Sequence, residues 1–179
     1  MKILKIIGIV LGVALLVLLA IGFMAPKSYK VERSTVISVT DTVAYNYLID
    51  WKSESEWSPW LEMDTNAKVT YSENSNAVGS TYSWEGNEDL GSGIQTRLAQ
   101  TPYSEIKSQL KFTAPWENEA LTDFIISPES QGTKVTWTLT GDMGFIESIM
   151  VMMGGGMSEF VGPDYERGLK KLKENLENR

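Results

Sequence analysis

Only one segment in the polar part of this sequence is long and two-faced enough to cover a sheet, and it comes last. Met157, Val161, Tyr165, Leu169, Leu172 and Leu176 recur at spacings of four and three, the apolar stripe of an α-helix with Lys and Glu on its other face. Six strand-like runs stand ahead of it: "AKVTYSE", "GSTYSWEG", "SGIQTRLAQ", "SEIKSQLKFTA", "ALTDFIIS" and "TKVTWTLTG". Between them fall turn-forming stretches, "NSNAVG", "GNEDLG", "TPY", "PWEN" and "PESQG", so neighbouring runs pair as an antiparallel meander. The apolar face of such a sheet has to be covered, and the last helix is the cover available. A sheet curled around one helix leaves a cavity between them.

The start of the polar part fits the same plan. In "SYKVERSTVISV" Tyr29, Val31, Arg33, Thr35, Ile37 and Val39 alternate with a more polar set, which predicts a seventh strand with one wet face. Thr40 or Asp41 can cap a short helix whose Ala44, Tyr47, Leu48 and Trp51 share one side. A second helical turn around Ser53–Trp57 stops before Pro59, which pushes Ser58 toward extended geometry. The apolar, methionine-rich "GFIESIMVMMGGG" predicts a separate short helix, because three consecutive glycines break it from the long one near Gly156 or Met157. The expected class is α+β: a curved seven-stranded antiparallel sheet around a long C-terminal helix.

Residues 1–27 are of another kind. No charge occurs from Ile6 to Ala25, and as a helix that run is ~30 Å long, the thickness of a bilayer's hydrocarbon. It is too long for the usual core of a signal peptide, so we expect a single-pass membrane anchor followed by a domain over 28–179. A cleaved leader is the alternative, with Lys2 and Lys5 as its basic start and Ala20-Ile21-Gly22 as its cleavage site. Basic residues flank the run on both sides, and the domain is expected outside the cytoplasm. Gly8 and Gly12 form a GxxxG pair, although a monomer is expected.

Of 16 Lys and Arg residues, Lys2 and Lys5 precede the apolar run, leaving 14 against 23 acids in the remainder. That acidity disfavours nucleic acid and anionic lipid as electrostatic partners. Lys170, Lys171 and Lys173 lie near the end of the last helix, where cations complement its dipole. The chain has no histidine and no cysteine, which excludes Ser-His-Asp triads, thiol nucleophiles and the usual zinc or haem ligands. No phosphate-loop motif is present, and Glu85, Glu88 and Asp89 do not follow the calcium-loop spacing. No cofactor or metal is expected.

"DWKSESEWSPW" sets Trp51, Trp57 and Trp60 in one stretch. We read them as a plug in the core held by a proline-stiffened loop, with a ligand-contacting wall as the alternative. A membrane foot is disfavoured by Glu54, Glu56 and Glu62. Met143, Met150, Met152, Met153 and Met157 gather where one end of the cavity would close, as core packing or as an adaptable mouth.

The order of elements, "SEWSPW", "SWEGNEDLGSG", "GTKVTWTLTGDMGF" and "VGPDYERGLKKLKENLE" together resemble the SRPBCC proteins of the polyketide cyclase/dehydrase and lipid-transport type. The resemblance runs from Ser28 to the C-terminus and implies the START-like, Bet v 1-like helix-grip fold. It implies a cavity for a hydrophobic small molecule or lipid, with cyclase chemistry or a vestigial cavity as alternatives. For a binder, the expected contacts are Trp84, Phe112, Trp137, Met153, Met157, Val161 and Tyr165. For an enzyme, the candidate acid–base groups are Asp123 and Glu85, whose carboxyls would be raised in pKa if they faced an apolar cavity. Alternation alone does not choose their face.

Overall fold

The structure, a computed structural model, describes residues 2–179. An N-terminal helix, α1 (Lys2–Met24), is followed by strand β1 (Ser28–Ile37), helix α2 (Asp41–Leu48), a 3-10 turn (Trp51–Ser53) and the single-turn helix α3 (Glu54–Trp57). Six strands come next: β2 (Lys68–Tyr71), β3 (Thr81–Glu85), β4 (Ser92–Thr101), β5 (Glu105–Ala114), β6 (Asn118–Glu129) and β7 (Gly132–Asp142). Helices α4 (Phe145–Met153) and α5 (Met157–Glu177) close the chain. The strands form one antiparallel sheet in the order β1-β7-β6-β5-β4-β3-β2, so β1 joins by pairing with the last strand. The fold is the expected α+β helix-grip arrangement.

Local chemistry sets each boundary. Thr40 caps α2 by accepting a hydrogen bond from the Val43 amide. Ser58 is extended beside Pro59 and ends α3. Gly155 and Gly156 take positive φ, which breaks the backbone between α4 and α5. Register shifts in β4 at Ser92/Gly93 and Arg97/Ala99 let the sheet curl.

The core lies between the concave face of the sheet and α5. Val31 and Ile37 of β1, Phe124 and Ile126 of β6, and Val135 and Trp137 of β7 pack against Tyr165, Leu169, Leu172 and Leu176. Gly168 brings α5 down onto the sheet: a Cβ there would stand 3.0 Å from the Trp137 ring and 3.1 Å from Pro59. Trp57 is fully buried in this core, edge-on to Phe124 and Trp137. Trp51 joins a second cluster with Tyr82 and Trp84, and Trp60 is only half-buried. The tryptophan stretch thus divides into two core rings and one at the edge of a cavity.

α1 is exposed along nearly its whole length, and Gly22 is its buried residue. There the Phe145 and Ile149 side chains of α4 pack where a Cβ would collide. Lys27 fixes the junction, donating to the Gly22 carbonyl at 2.6 Å and to Ser148 Oγ at 3.0 Å.

Candidate functional site

A partly open cavity of about 170 Å³ lies between α5 and the β3–β7 part of the sheet. Its floor is aromatic. Trp137 stacks on Tyr165 with ring centroids 3.8 Å apart, and Trp60 stands edge-on to both. Trp137 is held in place by donating from Nε1 to Thr122 Oγ1 at 2.9 Å, while Thr122 donates to the Thr138 carbonyl. Across the cavity Trp84 is edge-on to Phe112 and overlies Gly93, its partner on β4, where a Cβ would meet the indole at 2.5 Å. Leu61, Leu90, Leu110, Leu139 and Val161 complete a wall that is almost wholly apolar.

The polar lining groups are few: Ser58, Gln95, Thr122 and Glu54, which comes from the first position of α3 and is buried. Removal from water pushes the Glu54 carboxyl up to about 7, against the opposing pull of Arg97. Arg97 is completely buried: its Nη2 donates to the Ile49 carbonyl at 3.0 Å and its guanidinium lies 4.1 Å from the centre of the Trp51 ring. Its Nε and Nη1 have no hydrogen-bond partner. Burial lowers Arg97 to about 10, so it remains cationic at neutral pH. Burial also raises the Tyr82 and Tyr165 hydroxyls, which stay protonated across the physiological range. Among these wall groups, Glu54 alone changes charge near neutrality, and it can hold or release a proton there.

The structure places Trp84, Phe112, Trp137, Val161 and Tyr165 in the cavity wall. The two expected methionines lie elsewhere. Met157 packs against the core at the first turn of α5, and Met153 is 71% exposed on α4. Of the rest of the methionine segment, Met143 is buried as core packing requires, Met150 and Met152 face outward, and none of them lines the cavity, so the reading as an adaptable mouth is corrected. Both carboxylate candidates are on the convex face. Asp123 alternates with buried Thr122 and Phe124, and lies opposite Lys107 of β5; partial burial raises its pKa without placing it in the cavity. Glu85 follows Trp84, points away from it and pairs with Lys68 at 3.5 Å in the open. The cavity carboxylate is Glu54, which in the sequence is one of three acids among the clustered tryptophans and counts there only against a membrane foot.

No family model matches the chain, and no curated protein matches it in sequence. Solved structures match it in fold. The chain is similar to protein CV1439 from Chromobacterium violaceum, with 16% identity over 85% of this chain and 98% of that one and a TM-score of 0.59. It is similar to the di-domain ARO/CYC StfQ from the steffimycin biosynthetic pathway, with 12% identity over 86% of this chain and 52% of that one and a TM-score of 0.59. It is also similar to Ara h 8.0201, with 10% identity over 85% of this chain and 99% of that one and a TM-score of 0.58. At these identities the likeness shows the fold alone, and that fold is the Bet v 1-like helix grip.

Proposed function

We propose that this protein is a membrane-tethered domain of the SRPBCC type whose cavity binds a hydrophobic small molecule, with Glu54 orienting one polar group of it. The observation that carries the reading is the composition of the cavity: mostly aromatic and aliphatic side chains with one buried carboxyl among them. An apolar cavity of ~150 Å³ holds a benzene-sized molecule, so about 170 Å³ suits a compact ring or the end of a longer chain. Below the pKa of Glu54 the carboxyl donates to a carbonyl or hydroxyl; above it the carboxylate accepts from a hydroxyl or amine. Affinity comes chiefly from apolar area removed from water, at ~25 cal/mol per Å².

One observation favours a second reading, proton-transfer catalysis: a general acid–base works best with a pKa near the operating pH, and Glu54 is held at about 7. Benzaldehyde and toluene titrations of wild type and Glu54→Gln separate the two readings. A binder retains toluene binding in the variant and changes its benzaldehyde affinity by less than ~10-fold, because the Gln amide still donates one hydrogen bond to the aldehyde oxygen. Turnover of any cyclisable substrate by wild type that Glu54→Gln abolishes, with toluene binding intact, would establish the enzyme reading instead.

A further inference from the structure

We propose that α4, with the β5–β6 hairpin beside it, forms a face that docks flat on the lipid bilayer next to α1; this rests on reading α1 as a membrane anchor. Depth is set by the contact between the two helices. The uncharged run ends at Ala25, so Gly22 and Phe23 lie where the span leaves the hydrocarbon. Phe145 and Ile149 of α4 pack on Gly22, the Phe145 ring is edge-on to Phe23 at 5.8 Å, and Lys27 binds both helices. Whatever depth the end of α1 has, α4 shares it.

About a quarter turn round α4 from its contact with α1 lies the surface such a position requires. Ile146, Met150 and Met153, spaced four and three, form one outward stripe and are 71%, 60% and 71% exposed. The only acid on α4, Glu147, is turned away from lipid: its carboxylate accepts from the Gly144 amide and from Asn118 Nδ2. That second bond ties α4 to the β5–β6 hairpin, whose Trp116 is 81% exposed. Trp116 is followed by the exposed acids Glu117 and Glu119, so this hairpin reaches only the headgroup layer, where an interfacial tryptophan sits with carboxylates left in water. Phe23, Met24 and Phe160 extend the apolar surface around the same corner. α4 lacks the Lys and Arg of a helix that binds a membrane surface by itself, so its place in the headgroup boundary follows from its packing on the end of α1, with the apolar stripe in the acyl chains.

The absence of cysteine makes the test direct. In the full chain reconstituted into phosphatidylcholine vesicles, single cysteines replace Ile146, Met150, Met153, Val13 or Lys170, each carrying an environment-sensitive fluorophore. Doxyl-labelled phosphatidylcholine then serves as quencher. Labels at 146, 150 and 153 are expected to emit to the blue of the Lys170 label and to lose intensity with doxyl lipid, as the Val13 label does. If Val13 is quenched while the α4 positions behave like Lys170, the anchor reading stands and the docking face is wrong. An unquenched Val13 label sinks the anchor reading and this proposal with it. Blue-shifted α4 labels that doxyl lipid does not quench mean that protein, a second copy or another chain, covers the stripe, which also overturns it.

Discussion

Glu54 combines two properties that water normally keeps apart, a carboxyl group and near-complete burial, and the consequence is a stability that depends on pH. Its native pKa of about 7 exceeds its ordinary value of 4.5, so between those values the folded chain holds a proton that the unfolded chain has released. Stability then falls as pH rises through that window. Because proton uptake and folding are linked, each unit of difference between the folded and unfolded pKa costs about 1.4 kcal/mol, roughly 3 kcal/mol in all. Denaturant unfolding of wild type should lose about that much between pH 4.5 and 8, while Glu54→Gln, neutral throughout, should show a flatter profile; equal slopes would mean that Glu54 is solvated. Trp57 poses the simpler case. Its ring is fully buried between Phe124 and Trp137, so Trp57→Ala should destabilise the fold by about 3–5 kcal/mol. Trp60→Ala, at the edge of the cavity, should cost less and weaken toluene binding more. Similar melting shifts for both would remove the distinction between plug and wall.

At the scale of elements, Gly162 and Gly168 bring α5 down onto Arg33 of β1 and Trp137 of β7, and the cavity lies where Val161 and Tyr165 look from the helix toward β3–β5. Val161→Trp should fill that space and abolish uptake of a naphthalene probe with the far-ultraviolet spectrum unchanged; undiminished uptake would place the binding site elsewhere. The elements themselves were legible because each obeys a local rule: the four–three stripe of α5, the alternation of β1, the cap at Thr40 and the stop at Pro59. The site was only half legible. In β4 the apolar residues Ile94 and Leu98 invite an assignment to the inside, yet Gln95 and Arg97 are the buried ones, because Gly93 must lie beneath Trp84 and alternation then carries them inward. The same inversion in β6 exposes Leu121 and Ile125, buries Thr122 and puts Asp123 outside. Alternation gives the period of a strand and leaves its face to tertiary packing. Glu54 was hidden for a related reason, since in a single-turn helix no periodicity separates a buried acid from a solvated one.

At the scale of the whole molecule, two bodies of different chemistry meet at one small contact. The sheet, α2 and α5 bury their core without help from α1, whose buried residue is Gly22, whereas α4 draws its packing largely from that helix. Removing residues 1–27 should therefore leave the sheet and α5 folded and release α4. Phe145 and Ile149 would lose their cover, together with both Lys27 hydrogen bonds. Hydrogen exchange on a chain beginning at Ser28 is expected to show full protection in β6, β7 and α5, near-complete loss over Phe145–Met153, and thermal unfolding close to that of the full-length protein in detergent. The contact is small enough for this separation because a local helix opens at far lower free energy than a core that includes Trp57, Trp137 and Tyr165. If the shortened chain instead aggregates or loses protection throughout the sheet, α1 is part of the folding unit, and the division at residue 27 between an anchor and an independent domain has to be abandoned.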